Sequence, residues 1–184
     1  MKKILGEIYR YLKNPTNHED KNKNFSYRMK NFFTILIISL LTGVLISPIF
    51  ALIGELGFIN LENHAMEEIM KNYTKLELFL FAVIMAPIGE ELFFRAPITA
   101  FKKAKAFKIG FYVFALLFGF IHITNFEMTQ NVILLSPILV APQILIGGYL
   151  GFIRVRFGLI WSIALHASYN SILMAISLIP NLLS

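Results

Sequence analysis

Three short patterns in this chain bring together residue types capable of acid–base chemistry. They are Glu90-Glu91-Leu92-Phe93-Phe94-Arg95, the pair Phe118-x-x-x-His122 and the pair His166-x-x-x-Asn170. In an apolar setting a carboxylate such as Glu90 can act as general base to a water molecule. His122 can share that water or relay its proton. His166 and Asn170, one turn apart on a helix, can both donate hydrogen bonds to an oxyanion. Glu91 and Arg95 have the i, i+4 spacing of an ion pair on one helical face. Glu90 lies about 100° around the helix from Glu91 and is expected to face elsewhere. The same residues allow a second chemistry: Glu90, His122 and His166 can hold a divalent metal such as zinc, leaving the open position that a catalytic metal needs. No other cofactor is implied.

Other hydrolytic chemistries are absent from the sequence. There is no cysteine, so no thiol nucleophile, disulfide or thiolate zinc site. Asp20 is the only aspartate and lies in a polar stretch, which removes an aspartyl pair within a membrane. Neither G-x-S-x-G nor H-E-x-x-H occurs. Ser168 is off the helical face shared by His166 and Asn170.

The elements that carry these residues are set by hydropathy. The 184 residues are 57% hydrophobic and 15% charged, and mean hydropathy is +0.66. A soluble domain of this length has nowhere to bury so much apolar surface, which predicts an all-α polytopic membrane bundle. Charge-free windows run over 31–54, 109–126, 128–153 and 157–184. A further apolar segment, 76–101, is interrupted by Glu77, Glu90, Glu91 and Arg95. About 20 apolar residues make a span, so about five transmembrane helices are expected. Residues 1–30 read as a basic N-terminal segment and 31–184 as the membrane-embedded domain. No signal-peptide pattern opens the chain. Ile4, Leu5, Ile8 and Leu12 recur at helical spacing among basic residues, as in an amphipathic surface helix or a solvated tail. Pro15 ends it.

Basic residues give the sidedness. They precede the first span, recur at Lys102, Lys103, Lys105 and Lys108, and again at Arg154 and Arg156. Five alternating spans place all three groups on one side, expected to be cytoplasmic, with the C-terminus outside a cell membrane. Such charge reports topology and not nucleic-acid binding. The expected partners are membrane lipid and a membrane-associated peptide or protein.

Ionisable residues in a span cost roughly 2.5–3.5 kcal/mol each by insertion scales. At roughly 1.5 Å per residue, Glu90 lies roughly 17 Å from the cytoplasmic helix end, His122 roughly 20 Å, and His166 and Asn170 roughly 12 and 18 Å. Groups from three predicted spans thus reach a similar level and can surround water. Each also has a plainer reading. Glu91–Arg95 can be an ion pair that locks the bundle, His122 an interfacial residue, and His166 with Asn170 interhelical hydrogen-bonding glue. Gly147, Gly148 and Gly151 read as a close-packing face, and Gln143 can line the cavity.

Together, and in this order on separate spans, the three motifs resemble those of the type II CAAX-prenyl endopeptidase family, which includes bacteriocin-processing membrane proteins. The resemblance implies an all-helical intramembrane endopeptidase. In it Glu90 and His122 activate water, His166 and Asn170 stabilise the oxyanion, and Glu91 and Arg95 support the site or engage substrate. Both a metalloprotease and a metal-free glutamate mechanism are associated with the family. Larger members have more spans, and the short chain favours the bacterial kind, which acts in bacteriocin maturation, self-immunity or other membrane-protein processing. Two other classes fit the residues less well: a non-catalytic scaffold or self-immunity protein that retains the motifs, and a small proton-coupled transporter, against which the lack of an internal repeat argues.

Overall fold

A computed structural model of the chain describes residues 1–60 and 73–178. Glu62, Glu67, Glu68 and Lys71, between the first two expected spans, lie outside the described residues, as do the last six positions. Every regular element among the described residues is helical. Four helical stretches are long and apolar enough to cross a membrane: Phe25–Glu55, Ala104–Asn125, Gln130–Phe157 and Leu159–Ser177.

Helix α1 (Lys2–Lys13) is followed by a polar linker and by α2 (Phe25–Glu55). Asn24 caps α2, its Oδ1 accepting from the Tyr27 amide at 2.9 Å. The helix therefore starts before the charge-free window, and Arg28 and Lys30 ride on its first turns. The interrupted apolar segment forms α3 (Lys75–Leu80), a π turn over Phe81–Met85 and α4 (Ala86–Phe94) in one helical run. This is the fifth expected span, and its charges keep it out of the set of four. A 3₁₀ turn, Pro97–Ala100, leads to α5 (Ala104–Ile121), which tightens into another 3₁₀ turn at His122–Asn125. The fourth predicted span is two helices, α6 (Gln130–Leu139) and α7 (Ala141–Phe157), jointed at Val140 just before Pro142. Helix α8 (Leu159–Leu178) closes the described chain after Gly158, whose φ of 109° reverses direction at little steric cost.

Helix α7 is the centre of the bundle. From Ile146 to Ile153 every residue is buried. Its glycines admit neighbours that a side chain would exclude. A Cβ at Gly151 would stand 2.6 Å from the Phe111 ring, and one at Gly148 would stand 2.7 Å from Leu12. Across the same contact, a Cβ at Gly119 of α5 would run into Ile144. The glycine face read from sequence is thus the surface on which α5 and α1 seat.

Helix α1 turns Ile4, Ile8 and Leu12 to the protein and leaves Leu5 exposed. Ile8 is only 1% exposed and belongs to the main core with Ile35, Leu150 and Ile153. Arg156 of α7 binds Glu7 at 2.6 Å and Asp20 at 2.5 Å, and Tyr112 donates to the Leu12 carbonyl at 2.8 Å. Asn17 reaches the carbonyls of Thr99 and Phe101 at 3.2 and 3.3 Å. The three basic regions therefore meet at one end of the bundle, as the charge pattern requires.

Candidate active site

The site is built by α4, α5 and α8. Its deepest element is Glu91, which is fully buried. Its Oε1 accepts from His166 Nδ1 at 3.1 Å and faces Arg95 Nε at 3.7 Å, while Oε2 accepts from the Ser162 hydroxyl. Three partners around one carboxylate satisfy the rule that a buried charge must be paired and hydrogen-bonded. Because an ionised carboxylate only accepts, the bond to Glu91 assigns a proton to Nδ1 of His166. His166 Nε2 is thereby turned toward Glu90, whose Oε2 stands 3.7 Å away. That oxygen is buried and has no hydrogen-bond partner in the protein. Glu90 does not face elsewhere, as helical geometry alone suggested. His166 sits between the two carboxylates, so adjacent residues on α4 address opposite nitrogens of one imidazole.

His122 ends α5. Its Nδ1 lies 2.7 Å from the Phe118 carbonyl, one turn back, so Nδ1 donates and Nε2 keeps the lone pair of the neutral ring. Phe118 joins the pieces. Its ring is 4.9 Å from the His122 ring and 5.6 Å from that of His166, and the Arg95 guanidinium lies over it at 3.8 Å. Glu90, Arg95 and His166 all lie within electrostatic reach of His122. Phe118 is thus the apolar floor that spaces both histidines and carries a cation on its face.

Arg95 is 2% exposed, and neither Nη1 nor Nη2 has a protein hydrogen-bond partner. Gly147 makes room for it, since a Cβ there would stand 3.2 Å from Nη2 and 3.0 Å from Phe118. Gln143, one turn before Gly147, also has a buried and unpartnered Oε1. On the basic end of the bundle Arg154 Nε donates to the Arg95 carbonyl at 3.2 Å, and its Nη2 donates to Thr99 at 2.9 Å. These bonds fix the exit of α4.

Asn170 takes a partner that was not expected. Its Nδ2 donates to the Ala82 carbonyl at 2.9 Å. That carbonyl belongs to the π turn, where the Ala86 amide pairs with Phe81. The next amide in this register would be that of residue 87, and Pro87 has none. Asn170 supplies the missing donor.

Glu90, Glu91, Arg95, His122 and His166 are therefore gathered at one place, and Asn170 is attached one turn away to the helix that carries the carboxylates. Among the described residues no three His, Asp or Glu side chains stand close enough together to hold a metal ion. Ser162 escaped the sequence reading, although it lies four residues before His166 and eight before Asn170, on their stripe.

A family model for type II CAAX prenyl endopeptidase Rce1-like proteins matches residues 72–172, which span α3 to α8 and every residue of the site. No curated protein and no solved structure matches the chain.

Proposed function

The chain belongs to the Rce1-like type II CAAX prenyl endopeptidase family, and on that premise we propose that it is an intramembrane endopeptidase hydrolysing a peptide bond in a membrane-associated or lipid-modified peptide or protein. Membership favours this reading over the scaffold and transporter alternatives. The observation that carries it is the buried, unpartnered Oε2 of Glu90, 3.7 Å from His166 Nε2.

A water held by Glu90 and by Nε2 of His122 is deprotonated by Glu90 as it attacks the carbonyl carbon. The carbonyl oxygen becomes an oxyanion, and Glu90 then passes the proton to the departing amine. His166 donates from Nε2 to the oxyanion. To do so it carries protons on both nitrogens, and Glu91, bonded to Nδ1, balances that charge. One such donor is typically worth about 2.7–4 kcal/mol to the transition state, and a positioned base a further 10²–10⁴-fold, roughly. The lipid bilayer delivers the substrate, and the basic end of the bundle faces the cytoplasm, where anionic headgroups favour it.

Glu90→Gln tests the reading. It keeps shape and hydrogen bonding but cannot take a proton. With a fluorogenic peptide carrying a prenylated cysteine, presented in proteoliposomes, cleavage should fall by roughly 10²–10⁴-fold while insertion and monodispersity are unchanged. Full activity in this variant would end the enzymatic reading at Glu90. Treatment with a chelator should leave cleavage intact.

A further inference from the structure

The π turn in the carboxylate helix raises a question of register. A π turn accommodates an extra residue and rotates the helix beyond it relative to the helix before it. In this chain the rotated part, α4, carries Glu90 and Glu91. The turn persists only if its carbonyls are satisfied, because in a membrane an unpaired backbone group has no water to turn to. Ala86 pairs with Phe81 in the π register. Pro87, buried and without an amide hydrogen, cannot pair with Ala82. The Ala82 carbonyl would be stranded, and the donor that reaches it, at 2.9 Å, is Nδ2 of Asn170 on α8.

From this juxtaposition we infer that Asn170 is a positioning residue: it holds the π turn open by standing in for the amide that Pro87 lacks, and so fixes the rotation of α4 that presents Glu90 and Glu91 to His166. The inference rests on the proposed endopeptidase function for its consequence, though not for its geometry. It differs from the oxyanion role expected for Asn170, since one N–H of the amide is bound to the backbone of the π turn and acts on the reaction through Glu90. It also gives the histidine helix a second tie to the carboxylate helix. His166 and Asn170 hold it at two levels one turn apart, so the facing surfaces of α4 and α8 cannot rotate independently.

The test is a rescue experiment. Asn170→Leu removes the donor at similar volume, with Asn170→Ala as a second variant should the first disturb folding. Pro87→Ala restores an amide that can satisfy Ala82 from within the helix. Hydrogen exchange over residues 81–91 and cleavage of the prenylated peptide are measured for the wild type, each single variant and the double variant. Loss of Asn170 should speed exchange in that segment by about tenfold. It should also lower kcat by roughly a hundredfold, as a displaced catalytic group does, with little change in KM. Pro87→Ala in the same chain should restore both protection and most of the cleavage. An oxyanion donor behaves differently: exchange would be unchanged on its removal, or the double variant would regain protection without regaining cleavage, and either outcome overturns the proposal. If the wild type cleaves nothing, the exchange measurements still decide whether Asn170 holds the turn, so failure of the enzymatic reading is seen separately.

Discussion

Replacing Glu91 by glutamine takes a negative charge from a place that no solvent reaches. Glu91 is 0% exposed and Arg95 2% exposed. In the wild type the guanidinium is compensated by the Glu91 carboxylate at 3.7 Å, by the face of Phe118 at 3.8 Å and, more weakly, by the Glu90 charge. The ring and the weaker Glu90 charge remain after the change. Removing one partner of a buried pair costs about 3–5 kcal/mol, since the other charge is left uncompensated. At 1.4 kcal/mol per decade this is roughly two to four decades in the folding equilibrium. Arg95→Met should then relieve most of the damage, because it removes the stranded cation and keeps the volume. The assay is a double-mutant cycle on unfolding in detergent micelles, with Glu91→Gln, Arg95→Met and the pair. The double variant should be more stable than the sum of the single losses implies, by well over about 0.5 kcal/mol, the usual error of additivity. Glu90→Gln, on the partially exposed and unpartnered carboxylate, should unfold like the wild type. Strict additivity of the first pair, or a Glu90 variant as unstable as that of Glu91, would refute the assignment of one carboxylate to structure and the other to chemistry.

Two further outcomes are expected. Ser162→Ala leaves Glu91 Oε2 without its hydroxyl donor, and a buried acceptor left unsatisfied costs about 1–3 kcal/mol; unchanged stability in the same unfolding assay would mean that the hydroxyl does not serve Glu91. The Asp20 carboxyl is pushed up by burial but more strongly lowered by hydrogen bonds from Arg156, the Asn22 amide and Tyr27, so it lies below the usual carboxylate range. A lowered folded value gives stability that is present above the unfolded pKa, about 3.9, and lost as pH falls through the folded one. Protease sensitivity of residues 1–24 should therefore stay low at neutral pH and rise only in acid below about 3.9, and Asp20→Asn should abolish that step. Release of the segment near neutrality would contradict the assignment.

The parts of this molecule that were legible in the sequence are those in which one residue type has one physical use. Charge-free windows mark α2, α5, α7 and α8 because lipid tolerates little else, and the basic residues that cluster outside them meet at one end of the bundle. Glycines on α7 announce close approach because nothing else has so little volume. The sharing of one imidazole by Glu90 and Glu91 was hidden for a different reason. Periodicity gives the angle at which a side chain leaves its helix, whereas a glutamate has two further bonds with which to swing back. An imidazole placed between two carboxylates can therefore serve both, although their Cα atoms point about 100° apart. The docking of α1 was similarly ambiguous. An amphipathic stripe fits a lipid surface as well as a protein one, and the deciding contacts, Leu12 against Gly148 and Glu7 with Arg156, lie far away in the chain.

The run from α3 through α4 shows why hydropathy undercounts a span with a polar inner face. Averaged along the chain, its charges keep it out of the set of membrane-crossing helices. Around the helix they are segregated. Phe81, Ile84, Met85, Ile88 and Leu92 are all exposed on the outside of the bundle, while Glu91 and Arg95 are buried inside it. This is the amphipathic helix of a soluble protein turned inside out, with its apolar stripe toward lipid and its polar stripe toward the core. A linear average cannot see that separation, because both faces contribute to every window. The burial of the charges is tolerable because α8 brings a donor for each acceptor: Ser162 and His166 for Glu91, and Asn170 for the Ala82 carbonyl that Pro87 leaves open. The oxygen left without a protein partner on this face is Oε2 of Glu90. Where Glu91 and the Ala82 carbonyl have both been supplied with donors from α8, that omission is what a water-activating carboxylate requires, since a general base must keep a lone pair for its substrate.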